Sequence, residues 1–172
     1  MREVAPPSFW GDSMIESYEP LQTSPVTLDE VKAFLKIETT EDDTLLTELI
    51  ESYTRQVEEI SGRTLRPVQV VFRLPKIEES YIRAPYEPIA SLIGVENEDG
   101  ITLTVVNAFF FYTEGFTDKP VTITYQTGAS TNAMLKELVK RIVAFAYEHR
   151  GEVIEFPDEI RQMMKFVRKV RL

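Results

Sequence analysis

Cysteine is absent from the chain and histidine occurs once, at His149. These two scarcities exclude a disulfide framework, thiolate zinc sites, a cysteine nucleophile and any metal site built on paired histidines. The sequence also lacks the run of about 18 apolar residues that a membrane-spanning helix needs. Its start, Met1-Arg2-Glu3-Val4-Ala5-Pro6-Pro7, has no apolar stretch of the signal-peptide kind. The expectation is a soluble protein that stays in the cytoplasm of the cell that makes it, with no membrane partner. Positive charge is short as well: 19 Lys and Arg stand against 28 Asp and Glu in 172 residues, a formal net charge of -9. A protein that grips a phosphate backbone does so by neutralising it and would show the opposite balance. No P-loop, dinucleotide glycine pattern, nucleophile-elbow serine or calcium loop of the required length occurs, so no cofactor or metal is expected.

What is present is unevenly distributed. Residues 1–60 hold 4 basic and 14 acidic residues, a balance of -10, and the remainder is close to neutral. The length suits one domain. Residues 1–25 carry four of the ten prolines and isolated large apolar groups without a sustained period, which reads as an extended arm. On it, Phe9, Trp10 and Tyr18 are candidates for packing on a neighbouring surface.

Thr27-Leu28-Asp29-Glu30 has the capping-box spacing, and Val31, Phe34 and Leu35 give the following helix, 27–37, an apolar face. Acidic residues crowd the start of a second helix, where the dipole favours them. Leu45, Leu46, Leu49, Ile50, Tyr53, Val57 and Ile60 then keep helical spacing up to Gly62, predicting a helix over 41–61. Residues 67–126 change to β-branched and aromatic runs, beginning with the alternation Val68, Val70, Phe72, Leu74. They predict a small antiparallel sheet with a hairpin turn at Asn97-Glu98-Asp99-Gly100. A third long helix is expected over 131–150, with Met134, Leu135, Leu138, Val139, Ile142, Phe145 and Ala146 inward. A last one opens at Pro157-Asp158-Glu159. The expected fold class is α+β, mainly α: a small helical bundle with an inserted antiparallel sheet and a C-terminal amphipathic helix. The boundaries are 1–25 for the arm, 26–152 for the main domain and 153–172 for the final helix.

Catalytic chemistry finds little support. The acidic pairs Asp42-Asp43, Glu58-Glu59, Glu78-Glu79 and Asp158-Glu159 are adjacent residues that point to different faces, whereas a hydrolase needs two carboxylates converging across a cleft. His149 reads as a packing or capping residue near a helix C-terminus. The last helix is the more informative constellation. Ile160, Met163, Met164 and Val167, with Phe166, offer an adaptable apolar surface, and Arg161, Lys165, Arg168, Lys169 and Arg171 surround it with positive charge. An ordinary amphipathic helix with a favourable dipole would look much the same.

Three stretches taken in order carry a resemblance. They are Pro25-Val26-Thr27-Leu28-Asp29-Glu30-Val31-Lys32-Ala33-Phe34-Leu35-Lys36-Ile37, Glu41-Asp42-Asp43-Thr44-Leu45-Leu46-Thr47-Glu48-Leu49-Ile50, and Gly62-Arg63-Thr64-Leu65. The series resembles the head-to-tail connector (adaptor, or head-completion) proteins of long-tailed bacteriophages. Val121-Thr122-Ile123-Thr124-Tyr125-Gln126-Thr127-Gly128, leading into the next helix, is similar to the longer members of that family. The resemblance spans residues 25–150 and is strongest over 25–65. It implies a non-enzymatic virion protein of the neck, assembled in the host cytoplasm. Such a protein forms a homo-oligomeric ring, usually dodecameric, joins the portal protein to a stopper or tail-completion protein, and lets DNA pass through its channel during packaging and ejection without specific binding. By the same analogy Ile160 to Leu172 is the portal-docking element.

Excess acid at such a lumen would prevent adhesion of DNA, which makes Glu48, Glu51 and Glu58 candidates for facing the channel or a neighbouring subunit. The alternatives are a tail-completion or other phage adaptor that binds an acidic partner through its basic C-terminal helix, and an acid-pair hydrolase.

Overall fold

The computed structural model describes residues 14–150 and 155–168. The order of elements is β1 (Met14–Pro20), α1 (Leu28–Leu35), α2 (Asp43–Ser61), β2 (Val68–Leu74), β3 (Tyr81–Arg83), β4 (Ile89–Glu96), β5 (Thr104–Val105), β6 (Phe110–Tyr112), β7 (Val121–Thr127), α3 (Ala133–Glu148) and α4 (Asp158–Val167). The α+β class is the one the sequence predicts. The chain divides into two compact units: a β unit formed by the residues up to Gln22 with Pro67–Ala129, and a helical unit formed by Thr23–Arg66 with the residues from Ser130 onward.

In the β unit a four-stranded sheet runs β1-β2-β7-β4 and a three-stranded sheet runs β3-β6-β5, with all pairings antiparallel. The alternation read at 68–74 is realised, with Val68, Val70 and Phe72 buried. Because side chains on a strand alternate in direction, those three meet the inward residues of the smaller sheet. Phe72 stacks on Phe111 with ring centroids 6.3 Å apart, and Phe111 meets Tyr125 edge-on at 5.3 Å. The Tyr125 hydroxyl donates to the Tyr86 carbonyl and accepts from the Tyr86 amide, both at 3.0 Å. Burial pushes the Tyr125 phenol pKa up, and this reciprocal pair satisfies a polar group that would otherwise be costly inside a core.

Two expectations are corrected here. Residues 14–20, read as part of an extended arm, are a strand on the edge of the larger sheet; Tyr18 packs edge-on against Tyr86 at 5.0 Å. Its pattern fails to read as a strand because β1 carries Glu16, Ser17 and Glu19 on an edge, where charge blunts further pairing. Asn97 to Gly100 is not a hairpin turn: it links β4 to β5, which belong to different sheets. The Asn97 side chain exchanges two hydrogen bonds with the Ile101 backbone, at 2.7 and 2.8 Å, and Gly100 takes φ 71. An Asn side chain bonding nearby backbone makes a turn without any strand pairing across it.

The helical unit follows the predicted pattern closely. Thr27 accepts from the Glu30 amide while Glu30 accepts from the Thr27 amide, so the capping box is complete. α2 ends at Gly62 with φ 63, the left-handed position that glycine adopts without strain. Leu46, Ile50 and Val57 of α2 pack with Leu135, Leu138, Val139, Ile142 and Val143 of α3. α3 is capped by Asn132, whose side chain accepts from the Met134 amide at 3.0 Å. Met134, expected inward, is exposed in the first turn, and Phe34 of α1 is exposed as well. His149 terminates α3 as read, its Nδ1 2.9 Å from the Phe145 carbonyl oxygen and its ring stacked on Phe145.

Candidate docking surface

α4 is held in the helical unit by the stripe Ile160, Met163, Met164, Val167. Its spacing of 3, 4 and 7 residues puts all four on one face. Ile160 and Val167 are buried in the core shared with α2 and α3, and both methionines pack partly buried against it. Four of the nine residues singled out for docking therefore fasten the helix to its own unit. This corrects their placement on an outward surface: adjacent methionines at helical positions 163 and 164 straddle the same inward face.

What α4 turns outward is Arg161, Gln162, Lys165, Phe166 and Arg168, with Phe166 78% exposed. Six positions beyond Ile160, Phe166 lies off the inward stripe at 100° per residue. Arg161 is occupied locally, 2.7 Å from Asp158 and 3.8 Å from Glu155. Lys169 and Arg171 lie outside the described residues.

The three acidic candidates separate. Glu48 is exposed on α2. Glu51 is half-buried; it accepts from the Ser24 amide at 2.9 Å and from Arg66 Nη1 at 2.5 Å. Glu58, expected at a channel or subunit surface, is fully buried. Its Oε1 accepts from the Leu65 amide at 2.7 Å, and Oε2 lies 4.0 Å from Arg66 Nε. The physical reason is position: Glu58 sits one turn beyond Thr54, itself buried and bonded to Ser24 at 2.7 Å, on the side of α2 that receives the chain entering and leaving the helix. A buried carboxylate persists where a cation and a backbone donor meet it. Of the arm residues, Tyr18 is placed in β1, and Phe9 and Trp10 lie outside the described residues.

A cluster that sequence spacing gives no hint of closes the far end of the helical pair. The Tyr147 hydroxyl donates to Asp42 at 2.5 Å, Arg150 reaches the same carboxylate at 3.2 Å, and the Arg150 guanidinium lies 4.5 Å over the Tyr147 ring. The Tyr147 hydrogen bond and then Arg150 lower the Asp42 pKa below its ordinary value, opposite to what a general acid requires. A shallow groove of about 400 Å³ lies nearby, bordered by Phe34, Lys36, Arg141, Phe145, Glu148 and Glu159. Its charges are mixed. Among the described residues no group of three or more His, Cys, Asp or Glu converges as a metal site would, and no helix is long and apolar enough to cross a membrane.

Against this geometry, a family model described as "Phage gp6-like head-tail connector protein" matches residues 25–165. The chain belongs to this head-tail connector family. The match reaches into α4 and stops short of the last basic residues. No curated protein matches the sequence. Among solved structures, the connector chain is similar to one from the neck of an empty GTA particle computed with C6 symmetry. That pair has a TM-score of 0.68 and 16% identity, covering 91% of this chain and 97% of that one. A chain from the virion of a native gene transfer agent particle aligns with TM-score 0.64 and 16% identity, covering 90% of this chain and 96% of that one. One from the neck of a native GTA particle computed with C12 symmetry gives 0.61 and 16%, covering 91% and 97%. Likeness at that identity is one of fold.

Proposed function

We propose that this connector protein is a structural, non-catalytic component of a phage neck. In this reading it forms a dodecameric ring beneath the portal, meets a stopper or tail-completion protein on its other side, and lets DNA pass through its channel during packaging and ejection. The observation that carries the reading is the family match over residues 25–165, and the fold shared with chains from GTA necks supports it.

The residues then take distinct roles. Ile160, Met163, Met164 and Val167 anchor α4, while Arg161, Lys165, Phe166 and Arg168, continued by Lys169 and Arg171, meet the portal. An exposed aromatic beside several cations suits an apolar pocket rimmed with acid. Glu48, with Glu51 where it remains exposed, is the acid that faces the channel or a neighbouring subunit; like charge there keeps DNA from adhering. Glu58 drops out of that set.

The test is attachment to the portal protein of the same phage. Phe166→Ala together with Lys165→Glu should abolish co-sedimentation with portal particles while leaving the circular dichroism spectrum unchanged. Undiminished attachment by that variant would remove α4 from the interface.

A further inference from the structure

Each unit carries one shallow groove with an exposed phenylalanine and an unpaired charge, and the two charges are of opposite sign. In the β unit, a groove of about 340 Å³ is lined by Ile77, Glu78, Phe116, Thr117 and Asp118. Ile77 and Thr117 exchange backbone hydrogen bonds at 2.8 and 3.0 Å and are both buried. Phe116 and Asp118 flank Thr117 and are both exposed, Phe116 by 58%. In the helical unit, the groove of about 400 Å³ includes Leu35, Ala144, Phe145 and Ile160 in its lining, and Phe34 and Lys36, flanking Leu35, are exposed at its border.

The ion pairs around each groove leave one charge over. Glu78 is taken by Lys76 at 2.7 Å, and Lys119, next to Asp118 in sequence, is turned to Asp99 at 2.8 Å and Glu98 at 3.3 Å. Asp118 is left without a cation among the described residues. In the helical groove Arg141 is occupied by Glu137 at 2.9 Å and Glu159 at 3.6 Å, whereas Lys36 has no acidic partner among the described residues. Lys36 also caps α1 with φ 57, the one positive φ at a non-glycine position among the described residues. Glycine is the usual residue at such a cap; here the position holds a long cation at the edge of a groove.

We propose that these two grooves meet between neighbouring copies of this chain, with Phe34 of one copy in the Phe116 groove of the next and Lys36 paired to Asp118. The contact rests on the ring of the proposed function and names its subunit interface. Two different surfaces meeting head to tail form a heterologous contact, the kind that closes into a ring. Aromatic anchors seated in a groove, with a charge pair at the rim, are the parts from which specific interfaces are built. The two phenylalanine rings add the preference of aromatic pairs for offset or edge-on contact. The charge pair fixes which groove meets which, because the same groove placed against itself would set like charges together. Glu148, the other charge of the helical groove without a partner among the described residues, takes no part in the pairing.

The experiment assembles the full chain on portal particles and counts the fraction of copies in closed rings by mass photometry and electron microscopy. Lys36→Glu alone and Asp118→Lys alone should each lower that fraction about tenfold, and both in one chain should restore it to within about twofold of the parent, since like charges face to face are costly and opposite ones are not. Glu148→Lys should leave it unchanged, and all the variants should keep the parent's circular dichroism spectrum. Parent rings that persist undiminished in both single variants would overturn this interface while leaving the ring itself standing. Single losses that the double variant does not restore would overturn the pairing of Lys36 with Asp118. A parent chain that forms no ring on portal would overturn the proposed function, and this contact with it.

Discussion

Single residues carry two of the consequences. Glu58 is a buried acceptor that ties the end of α2 to Leu65 and Arg66. Removing its carboxylate leaves the buried Leu65 amide without its acceptor, at a cost of about 1–3 kcal/mol, while Arg66 keeps Glu51. Glu58→Ala should therefore lower the urea midpoint sharply, whereas Glu48→Ala, at an exposed position, should shift stability by less than about 0.5 kcal/mol. Equal effects would mean that Glu58 is not the buried clamp described.

Asp42 gives a pH signature. Its folded pKa lies below the ordinary 3.8, chiefly through the Tyr147 hydroxyl and then Arg150. Ionised Asp42 thus favours the fold above that ordinary value, and its contribution fades as pH falls through the lowered one. The same bond raises the Tyr147 pKa, so a contribution present below the ordinary value of 10.0 is lost as pH climbs through the raised one. Asp42→Asn should flatten the acid side of the stability profile below about pH 4, measured by thermal unfolding across pH. This clamp was illegible in the sequence because Asp42 and Tyr147 are 105 residues apart and neither spacing nor type singles them out. Glu58 was misread for a related reason: helical periodicity of apolar residues says nothing about which carboxylate has a buried arginine to meet.

Among the elements, the helices were legible and the strands only partly so. The capping box at Thr27, the run from Leu45 to Ile60 and the stop at Gly62 are local signals, and each is realised locally. Thr27→Ala should cost about 1 kcal/mol, and Gly62→Ala about the same through its positive φ. β1 and the link at Asn97 depend on partners far along the chain, so an edge strand rich in Glu and Ser passed for an arm and an Asn-Gly stretch passed for a hairpin. α4 shows the same division. Its inward stripe follows from period alone, yet the methionines that look adaptable are structural, and Phe166 is the side chain turned out. Ile160→Ala should destabilise the protein by about 2–4 kcal/mol, and Phe166→Ala should leave stability unchanged in the same denaturation assay. Losses of similar size at both positions would contradict the orientation of the helix.

At the scale of the whole molecule, a net charge of -9 first argues against nucleic acid as a ligand. In the proposed function it acquires a use, since a channel lined with acid would pass DNA without holding it. The structure narrows which acids can serve: Glu58 is buried and Glu51 is engaged by Arg66 and Ser24, leaving Glu48 the most available of the three. On α4, Lys165 and Phe166 are exposed, and in the proposed function they meet a different partner. In the proposed function, ring assembly joins these surfaces. The most direct test is electron microscopy of this chain mixed with its portal protein. Closed rings with an open central channel, stacked coaxially on the portal with the α4 side against it, are the expected result. Monomers that remain unattached at portal concentrations sufficient to decorate every particle would contradict it.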